Sequence, residues 1–338
     1  MTSTDLRVAV VGAGMMGADH IRRISTTISG AQVVSVVEPD EGRARAAVAG
    51  LPEASTRSRI EDALEHDRLD AVVIATPGPF HEPVLYPALE AGVAILCEKP
   101  LTPDSASSLR VLEAEQRLAR PHIQVGFMRR FDAEYAALRS LIASKDAGEL
   151  LLLKCAHRNP STPPGYTERM LITDSVVHEF DVVPWLAGER IVSVEVRRLR
   201  RNSYAPEGLH DPQLVYIELE SGTVAEVEIN VNIGFGYQVT TEAVFERGVA
   251  EIGRTSGLKT WQDGRWGGVE HGSFTTRFVD AYDAQVQRWV DAVHRGRIDG
   301  PSAWDGYVVA AACEAGVASQ EGGGRVEVST IAKPAFYN

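Results

Sequence analysis

The segment Gly12–Gly17 reads Gly-Ala-Gly-Met-Met-Gly and lies between an apolar run, Leu6–Val11, and a stretch with helical periodicity that begins at Met15. In a G-x-G-x-x-G pattern the first glycine permits a tight turn, the second lets the backbone approach a pyrophosphate, and the third lets helix and strand pack closely. The N-terminus of the helix then presents free N–H groups to a phosphate. An ordinary glycine turn is the alternative, but the preceding strand and following helix favour a dinucleotide-binding βαβ unit.

Short apolar runs alternate with amphipathic helices as far as residue 125. Further runs lie at Gln32–Val37, Ala71–Ala75, Val93–Cys97 and Ile123–Gly126. Apolar strands joined by helices are typical of a parallel sheet that is covered on both faces. The sequence therefore predicts an α/β protein whose first domain, residues 1–125, is a Rossmann-type doubly wound parallel sheet that binds NAD(P).

The pattern changes after residue 125. Val192, Val194 and Val196 alternate with polar residues, and the segment from Val215 to Leu219 does the same. Such alternation predicts antiparallel strands with one buried face. We expect residues 126–338 to form an α+β domain with a large, mostly antiparallel open sheet, one face of which meets a partner subunit.

Charge and cysteine content restrict the partners. The 338 residues carry a formal net charge of −12, which disfavours nucleic acid and anionic membranes as partners. No apolar run approaches the ~18 residues that a membrane span needs. The three cysteines form no Cys-x-x-Cys pair, which favours a reducing compartment; we expect a cytoplasmic protein.

An acidic residue, Glu38, ends the second apolar run about twenty residues beyond the glycine turn. A carboxylate there can accept hydrogen bonds from the adenosine ribose and would repel the 2′-phosphate of NADP. Arg43 and Arg45 follow on the next helix, either as a solvated basic face or as groups that accommodate NADP. We expect NAD as cofactor, with NADP the less favoured alternative.

Two further motifs carry candidate catalytic groups. Glu98-Lys99-Pro100 follows an apolar strand, where Lys99 either stabilises charge on a substrate oxygen or is a solvated loop residue. The segment from Thr173 to Asp181 predicts the start of a helix, with Thr173 or Asp174 as its cap. Asp174, His178 and Asp181 can share one helix face, so His178 is a candidate base, although a structural histidine fits too. No recognisable pattern completes a metal site.

Together these motifs resemble the Gfo/Idh/MocA oxidoreductase family. Other segments resemble a branch of that family which acts on inositol, and the similarity runs from about Leu6 to Tyr337. These segments are Gly126–Asp132, Ala156–Pro160, Gly300–Tyr307 and Lys333–Tyr337.

The resemblance implies a catalytic group of Lys99, Asp174 and His178. It also places several side chains around the substrate, namely Met128, Arg129, His157, Asn159 and Tyr237, with Asp174 and His178. We expect the cofactor to contact the glycine turn, the strand ends and the turns that follow them, at Gly12, Gly14, Met15, Met16, Gly17, Glu38, Thr76, Pro77, His81, Glu98 and Lys99.

The implied reaction is NAD-dependent oxidation of a secondary alcohol of a cyclic polyol, myo-inositol before others, as a step of inositol catabolism. Scyllo-inositol, a hexose or another polyol is the alternative substrate, and a cofactor-binding regulator without turnover is a distant alternative. The sequence departs from the branch at Glu38, where aspartate is more usual, and at Phe235, where a second tyrosine is expected near Tyr237. The resemblance also implies a homo-oligomer, a tetramer, built on second-domain sheets.

Overall fold

The computed structural model describes residues 5–254 and 259–338, which divide into two compact units. The first unit comprises the described residues up to Phe127, together with Tyr282–Ala310 and Ile331–Asn338. The second comprises the described residues of Met128–Ala281, together with Ala311–Thr330. This division differs from the predicted ranges 1–125 and 126–338 because two later segments of the chain return to the first unit.

A parallel sheet of six strands forms the centre of the first unit, in the order β3-β2-β1-β4-β5-β6. In chain order the strands β1 to β6 are Leu6–Val11, Ala31–Val37, Ser55–Arg57, Ala71–Ile74, Ala94–Cys97 and Ile123–Val125. The helices α1 to α5 are Met15–Thr26, Glu41–Ala47, Ile60–His66, Glu82–Glu90 and Ser105–Glu115. The predicted Rossmann-type fold is confirmed.

The returning segments complete the core of this unit. Trp289 is fully buried and belongs to one apolar cluster with Val8, Val10 and Leu96 of the parallel sheet. Near the end of the chain, the hydroxyl of Tyr337 donates a 2.6 Å hydrogen bond to the buried carboxylate of Glu115. Sequence periodicity alone does not reveal these contacts, because they join residues that are far apart in the chain.

The second unit is built on a seven-stranded sheet in the order β12-β11-β7-β10-β9-β8-β15. Its members in chain order are β7 Leu150–Arg158, β8 Ile191–Arg198, β9 Gln213–Leu219, β10 Val224–Asn230, β11 Gln238–Phe245, β12 Gly248–Ile252 and β15 Arg325–Glu327. A separate hairpin pairs β13, Thr260–Gln262, with β14, Arg265–Gly267. Strands β7 and β10 run parallel and the other pairs run antiparallel, so the predicted mostly antiparallel sheet is confirmed.

Buried and half-buried residues alternate along β9, β10 and β11, as a sheet with one covered face requires. The helices of the remaining chain are α6 Ala133–Ser144, α7 Glu168–Met170, α8 Val177–Ala187, α9 Phe274–Arg277, α10 Val279–His294 and α11 Ala303–Gly322. Within the described residues, no helix is both long enough and apolar enough to span a bilayer.

Candidate active site

The glycine turn between β1 and α1 has the geometry that its three glycines predict. Gly12 adopts a φ of +90°, in the left-handed region, and its N–H donates to the carbonyl of Val37 at 2.8 Å. A Cβ on Gly17 would lie 1.8 Å from the carbonyl oxygen of Gly12, so only glycine lets α1 approach β1 so closely. A Cβ on Gly14, in contrast, would meet nothing within 4 Å. The surface beside Gly14 is therefore open to a ligand, as a pyrophosphate group requires.

The carboxylate of Glu38 is buried at the end of β2. Its Oε2 accepts a 3.0 Å hydrogen bond from the N–H of Ala13, and its Oε1 accepts from the N–H of Asp40 at 3.0 Å and from Nη2 of Arg43 at 2.9 Å. Burial alone would raise the pKa of Glu38, but these hydrogen bonds outweigh it and lower the pKa. The longer side chain of glutamate reaches the glycine turn, and Arg43 contacts this carboxylate although its own side chain is mostly exposed. Arg45 pairs instead with exposed Glu41.

A histidine links the two turns that follow β4 and β5. The buried ring of His81 has Nε2 2.8 Å from the carbonyl oxygen of Thr76 and Nδ1 2.7 Å from that of Pro100. Thr76 Oγ1 is buried and has no hydrogen-bond partner among the residues that the structure describes, whereas Pro77 is exposed. Both nitrogens of His81 thus contact protein backbone, and its predicted cofactor contact stays a prediction.

The motif Glu98-Lys99-Pro100 follows β5, and its glutamate contacts a histidine of α1. Nε2 of His20 lies 2.8 Å from Oε1 of Glu98, and both side chains are buried. The other carboxylate oxygen, Oε2, accepts from the N–H of Lys99 at 3.3 Å. A Cβ on Gly126 would lie 2.9 Å from Oε2, so this glycine leaves room for the carboxylate. Sequence reasoning missed His20, since a single polar residue three positions after Gly17 has no recognisable spacing.

In the second unit a buried ion pair lies beside a predicted substrate residue. Arg129 and Glu179 are almost fully buried and joined by a charge-assisted hydrogen bond. Nδ1 of His157 lies 3.3 Å from Oε2 of Glu179 and 3.2 Å from Nη2 of Arg129. Burial would raise the pKa of Glu179, but Arg129 and His157 lower it to about 2. The sequence analysis assigned Arg129 and His157 but not Glu179.

Three polar rings, those of His157, His178 and Tyr237, lie close to one another near this pair. The ring centroids of His157 and His178 are 6.3 Å apart, and those of His157 and Tyr237 are 6.1 Å apart. Burial raises the pKa of Tyr237 to about 12, which keeps its hydroxyl protonated at neutral pH. The structure thus brings together four of the predicted substrate residues, namely Arg129, His157, His178 and Tyr237.

The remaining predicted residues differ in exposure. Met128 is buried, and Oδ1 of Asn159 is buried with no hydrogen-bond partner in the described part of the chain. Phe235, at the position where a tyrosine was expected, has 55% of its surface exposed. Among residues 5–254 and 259–338, no cluster of three or more His, Cys, Asp or Glu side chains could hold a metal ion.

The helix that carries His178 begins earlier than its capping signals predict. It starts at Glu168 and continues through a π-helical turn, Leu171–Val176, into α8. The predicted cap at Thr173 or Asp174 is therefore wrong, because Leu171 and Ile172 are buried in the core and hold this segment in the helix. Asp174 lies half-buried in the π turn, a feature that is frequent at functional sites. Arg130 donates to Asp181, the third residue that the spacing had grouped with His178.

The family models for two oxidoreductase domains match this chain. Residues 6–127 match the model described as the Gfo/Idh/MocA oxidoreductase family, NAD-binding Rossmann fold. Residues 139–328 match the model for the C-terminal α/β domain of the same oxidoreductase family. Together the two models cover most of the chain.

Full-length relatives and a solved structure agree with these matches. The chain is 62% identical over 337 residues to an inositol 2-dehydrogenase of Leifsonia xyli subsp. xyli, covering 99% of each chain. It is 61% identical over 336 residues to an inositol 2-dehydrogenase of Corynebacterium glutamicum (strain R), with the same coverage. The myo-inositol dehydrogenase of Lactobacillus casei, solved in complex with NAD(H) and myo-inositol, is similar with a TM-score of 0.96 and 32% identity, over 99% of this chain and 100% of that one.

The glycine turn generates a prediction that separates packing from ligand approach. Gly17→Ala forces a Cβ against the carbonyl of Gly12 and should lower the free energy of unfolding by about 1–3 kcal/mol or more. Gly14→Ala places its Cβ in open space, so it should leave stability within about 0.5 kcal/mol of wild type. It should nevertheless raise the Kd for NAD at least about tenfold, because the methyl group occupies the surface that a pyrophosphate approaches. Urea unfolding and calorimetric titration measure the two effects, and unchanged NAD affinity in Gly14→Ala would contradict the placement of the cofactor.

Proposed function

We infer the reaction of this chain from one premise, that it belongs to the Gfo/Idh/MocA oxidoreductase family. We propose that it is an NAD-dependent inositol 2-dehydrogenase, which oxidises myo-inositol to 2-keto-myo-inositol. The observation that carries the proposal is the 62% identity to an inositol 2-dehydrogenase over 99% of both chains. The polar rings of the second unit add independent support, since a ring of hydroxyl groups needs several hydrogen-bonding partners.

His178 is the general base in this proposal. Its imidazole takes the proton of the hydroxyl group that is oxidised, a role that suits a histidine near neutral pH. Lys99 donates a hydrogen bond to the same oxygen and stabilises the negative charge that develops on it. Asp174, four residues before His178, orients the imidazole or binds a neighbouring hydroxyl group of the substrate.

The residues of the first unit fit a bound NAD. Gly14 leaves room for the pyrophosphate, and the ionised Glu38 can accept hydrogen bonds from the adenosine ribose. When bound, NAD supplies the nicotinamide ring that accepts the hydride. Thr76 offers a buried hydroxyl group that has no partner among the described residues, and Nε2 of His81 lies 2.8 Å from the carbonyl oxygen of Thr76.

A second candidate substrate within the same reaction class rests on Phe235. An exposed phenyl ring stands at the position where the inositol branch is expected to have a hydroxyl group. One hydrogen bond fewer would relax the selection among polyols, so scyllo-inositol or a pyranose is the alternative substrate. Asn159, whose Oδ1 has no partner in the described residues, is available to one of the remaining hydroxyl groups.

A substrate screen tests the proposed function directly. Myo-inositol, scyllo-inositol, chiro-inositols, common aldoses and cyclohexanol are offered with NAD, and formation of reduced cofactor is measured. We expect oxidation of myo-inositol and little activity on cyclohexanol, because a site built to bind hydroxyl groups rejects analogues that lack them. Oxidation of an aldose but of no inositol would keep the reaction class and overturn the inositol assignment.

The role of His178 predicts a selective loss of turnover. His178→Ala should lower kcat by roughly 10²–10⁴-fold while the Kd for NAD stays within about twofold, because the base is absent but the first unit is unchanged. His66→Ala removes an exposed histidine of α3 and serves as the control. Steady-state kinetics and calorimetry measure both quantities, and near-normal turnover of His178→Ala at neutral pH would contradict its role as the base.

Cofactor selection depends on the pair formed by Glu38 and Arg43. The wild-type protein should prefer NAD by at least about tenfold in kcat/KM, since the Glu38 carboxylate repels a 2′-phosphate. Glu38→Ser removes that charge and releases Arg43, which can then bind the phosphate, so the Kd for NADP should fall. In the double variant Glu38→Ser/Arg43→Ala the gain should be smaller. Calorimetric titration with NADP measures this, and an equal gain in both variants would show that Arg43 takes no part.

We also propose a cytoplasmic homotetramer that buries the outer face of the second-unit sheet. This face carries paired charges, Lys154 with Glu242 and Arg158 with Glu228, and the β13–β14 hairpin beside it exposes Trp261 and Trp266. Exposed tryptophans of this kind are typical of protein interfaces. Light scattering at micromolar concentration should give four times the mass of the chain, and a monomer would contradict the assembly.

The proposed cytoplasmic location agrees with the state of the cysteines. The three cysteines are buried free thiols, in keeping with a reducing compartment.

A further inference from the structure

The buried carboxylate of Glu179 contacts the ring of His157, and the proposed mechanism does not use it. Glu179 follows His178 directly on α8, and its side chain is almost fully buried. One oxygen, Oε1, accepts a hydrogen bond from Arg129, and the other, Oε2, lies 3.3 Å from Nδ1 of His157. This arrangement connects a permanently charged pair to a ring that lies in the substrate cluster.

The position of Nδ1 leaves two arrangements of the His157 proton. Nδ1 also lies 3.2 Å from Nη2 of Arg129, which is a donor. A neutral imidazole has one nitrogen that donates and one that accepts. Nδ1 therefore either donates to Glu179, which makes Nε2 an acceptor, or accepts from Arg129, which makes Nε2 a donor. These two tautomers would bind opposite partners at Nε2.

The hydrogen bonds around the pair favour the first arrangement. In the part of the chain that the structure describes, Oε2 of Glu179 has no other donor than His157. Arg129, in contrast, keeps its charge-assisted hydrogen bond from Nη1 to Oε1 of Glu179 in either arrangement. A buried carboxylate oxygen without a donor costs free energy, so the proton belongs on Nδ1.

We propose that Glu179 is a positioning residue that holds His157 as the Nδ1–H tautomer, which leaves Nε2 to accept a hydrogen bond from a hydroxyl group of the substrate. The tautomer follows from the contacts within the second unit, and the identity of the bound group rests on the proposed function. His178 supplies a second imidazole, with its ring centroid 6.3 Å from that of His157. Two accepting imidazoles can hold two hydroxyl groups of one ring, which selects a polyol over a simple alcohol.

Nuclear magnetic resonance of the NAD-loaded wild-type protein, labelled with ¹⁵N in its histidines, tests the tautomer. Long-range correlations distinguish a protonated ring nitrogen from an unprotonated one, and His157→Asn identifies the His157 signals by their loss. We expect Nδ1 of His157 protonated and Nε2 unprotonated at neutral pH. A ring protonated at Nε2, or at both nitrogens, would overturn the proposal.

Glu179→Gln tests the cause. Its carbonyl oxygen can stay with Arg129 while its amide group replaces Oε2 with a donor, so the proton of His157 should move to Nε2. Asp181→Asn is the matched control, because it removes a buried carboxylate paired with Arg130 from the same helix. We expect the control to keep the wild-type tautomer. An unchanged tautomer in Glu179→Gln, or the same change in both variants, would overturn the role of Glu179.

Kinetics provide the second readout. With myo-inositol, Glu179→Gln should raise KM about tenfold, the effect of losing one well-placed hydrogen bond, and should change kcat less. Asp181→Asn should leave KM within about twofold of wild type. Equal KM values for Glu179→Gln and wild type would show that Nε2 accepts nothing from this substrate. If the wild-type protein oxidises no inositol, the proposed function fails, whereas the resonance measurement still decides the tautomer.

Discussion

The close approach of α1 to β1 at Gly17 is the constraint on which the first unit depends. Because the backbone of Gly17 lies against the carbonyl of Gly12, the helix begins directly beside the turn and presents its N-terminus over open surface at Gly14. On the same helix, His20 contacts Glu98, the residue before Lys99. Arg23 forms ion pairs with Asp19, one turn earlier on this helix, and with Asp283. One glycine thus determines how closely the first helix approaches the glycine turn.

The second unit relies on charge compensation instead of close backbone approach. Removing either partner of the buried Arg129–Glu179 pair would be costly, since an uncompensated charge would remain buried. The paired side chains both contact the ring of His157, which lies beside the ring of Tyr237. The pair therefore helps to order this cluster of hydrogen-bonding groups. Apolar side chains of similar volume in place of Arg129 and Glu179 would offer Nδ1 of His157 no hydrogen-bond partner and so would set no tautomer.

The sequence predicts best the features that local backbone chemistry dictates. The glycine turn, the apolar strands of the first unit and the alternating strands of the second were all predicted and confirmed, because each depends on a short pattern. The start of the helix before His178 was wrong, since burial of Leu171 and Ile172 overrides the capping preference of Asp174. His20 and Glu179 were missed because their partners lie 78 and 50 positions away, where no spacing rule applies. The catalytic roles of Lys99, Asp174 and His178 stay predictions.

In the proposed reaction, the hydrogen on a carbinol carbon of inositol passes to NAD as a hydride. The side chains of the protein accept only the proton of the hydroxyl group. The most direct measurement uses myo-inositol that carries deuterium on C2, with NAD and the purified protein, followed by mass spectrometry of the reduced cofactor. The account predicts one deuterium on the nicotinamide ring of each reduced molecule, in step with formation of the inosose. Reduced cofactor without deuterium, or no reduced cofactor at all, would contradict it.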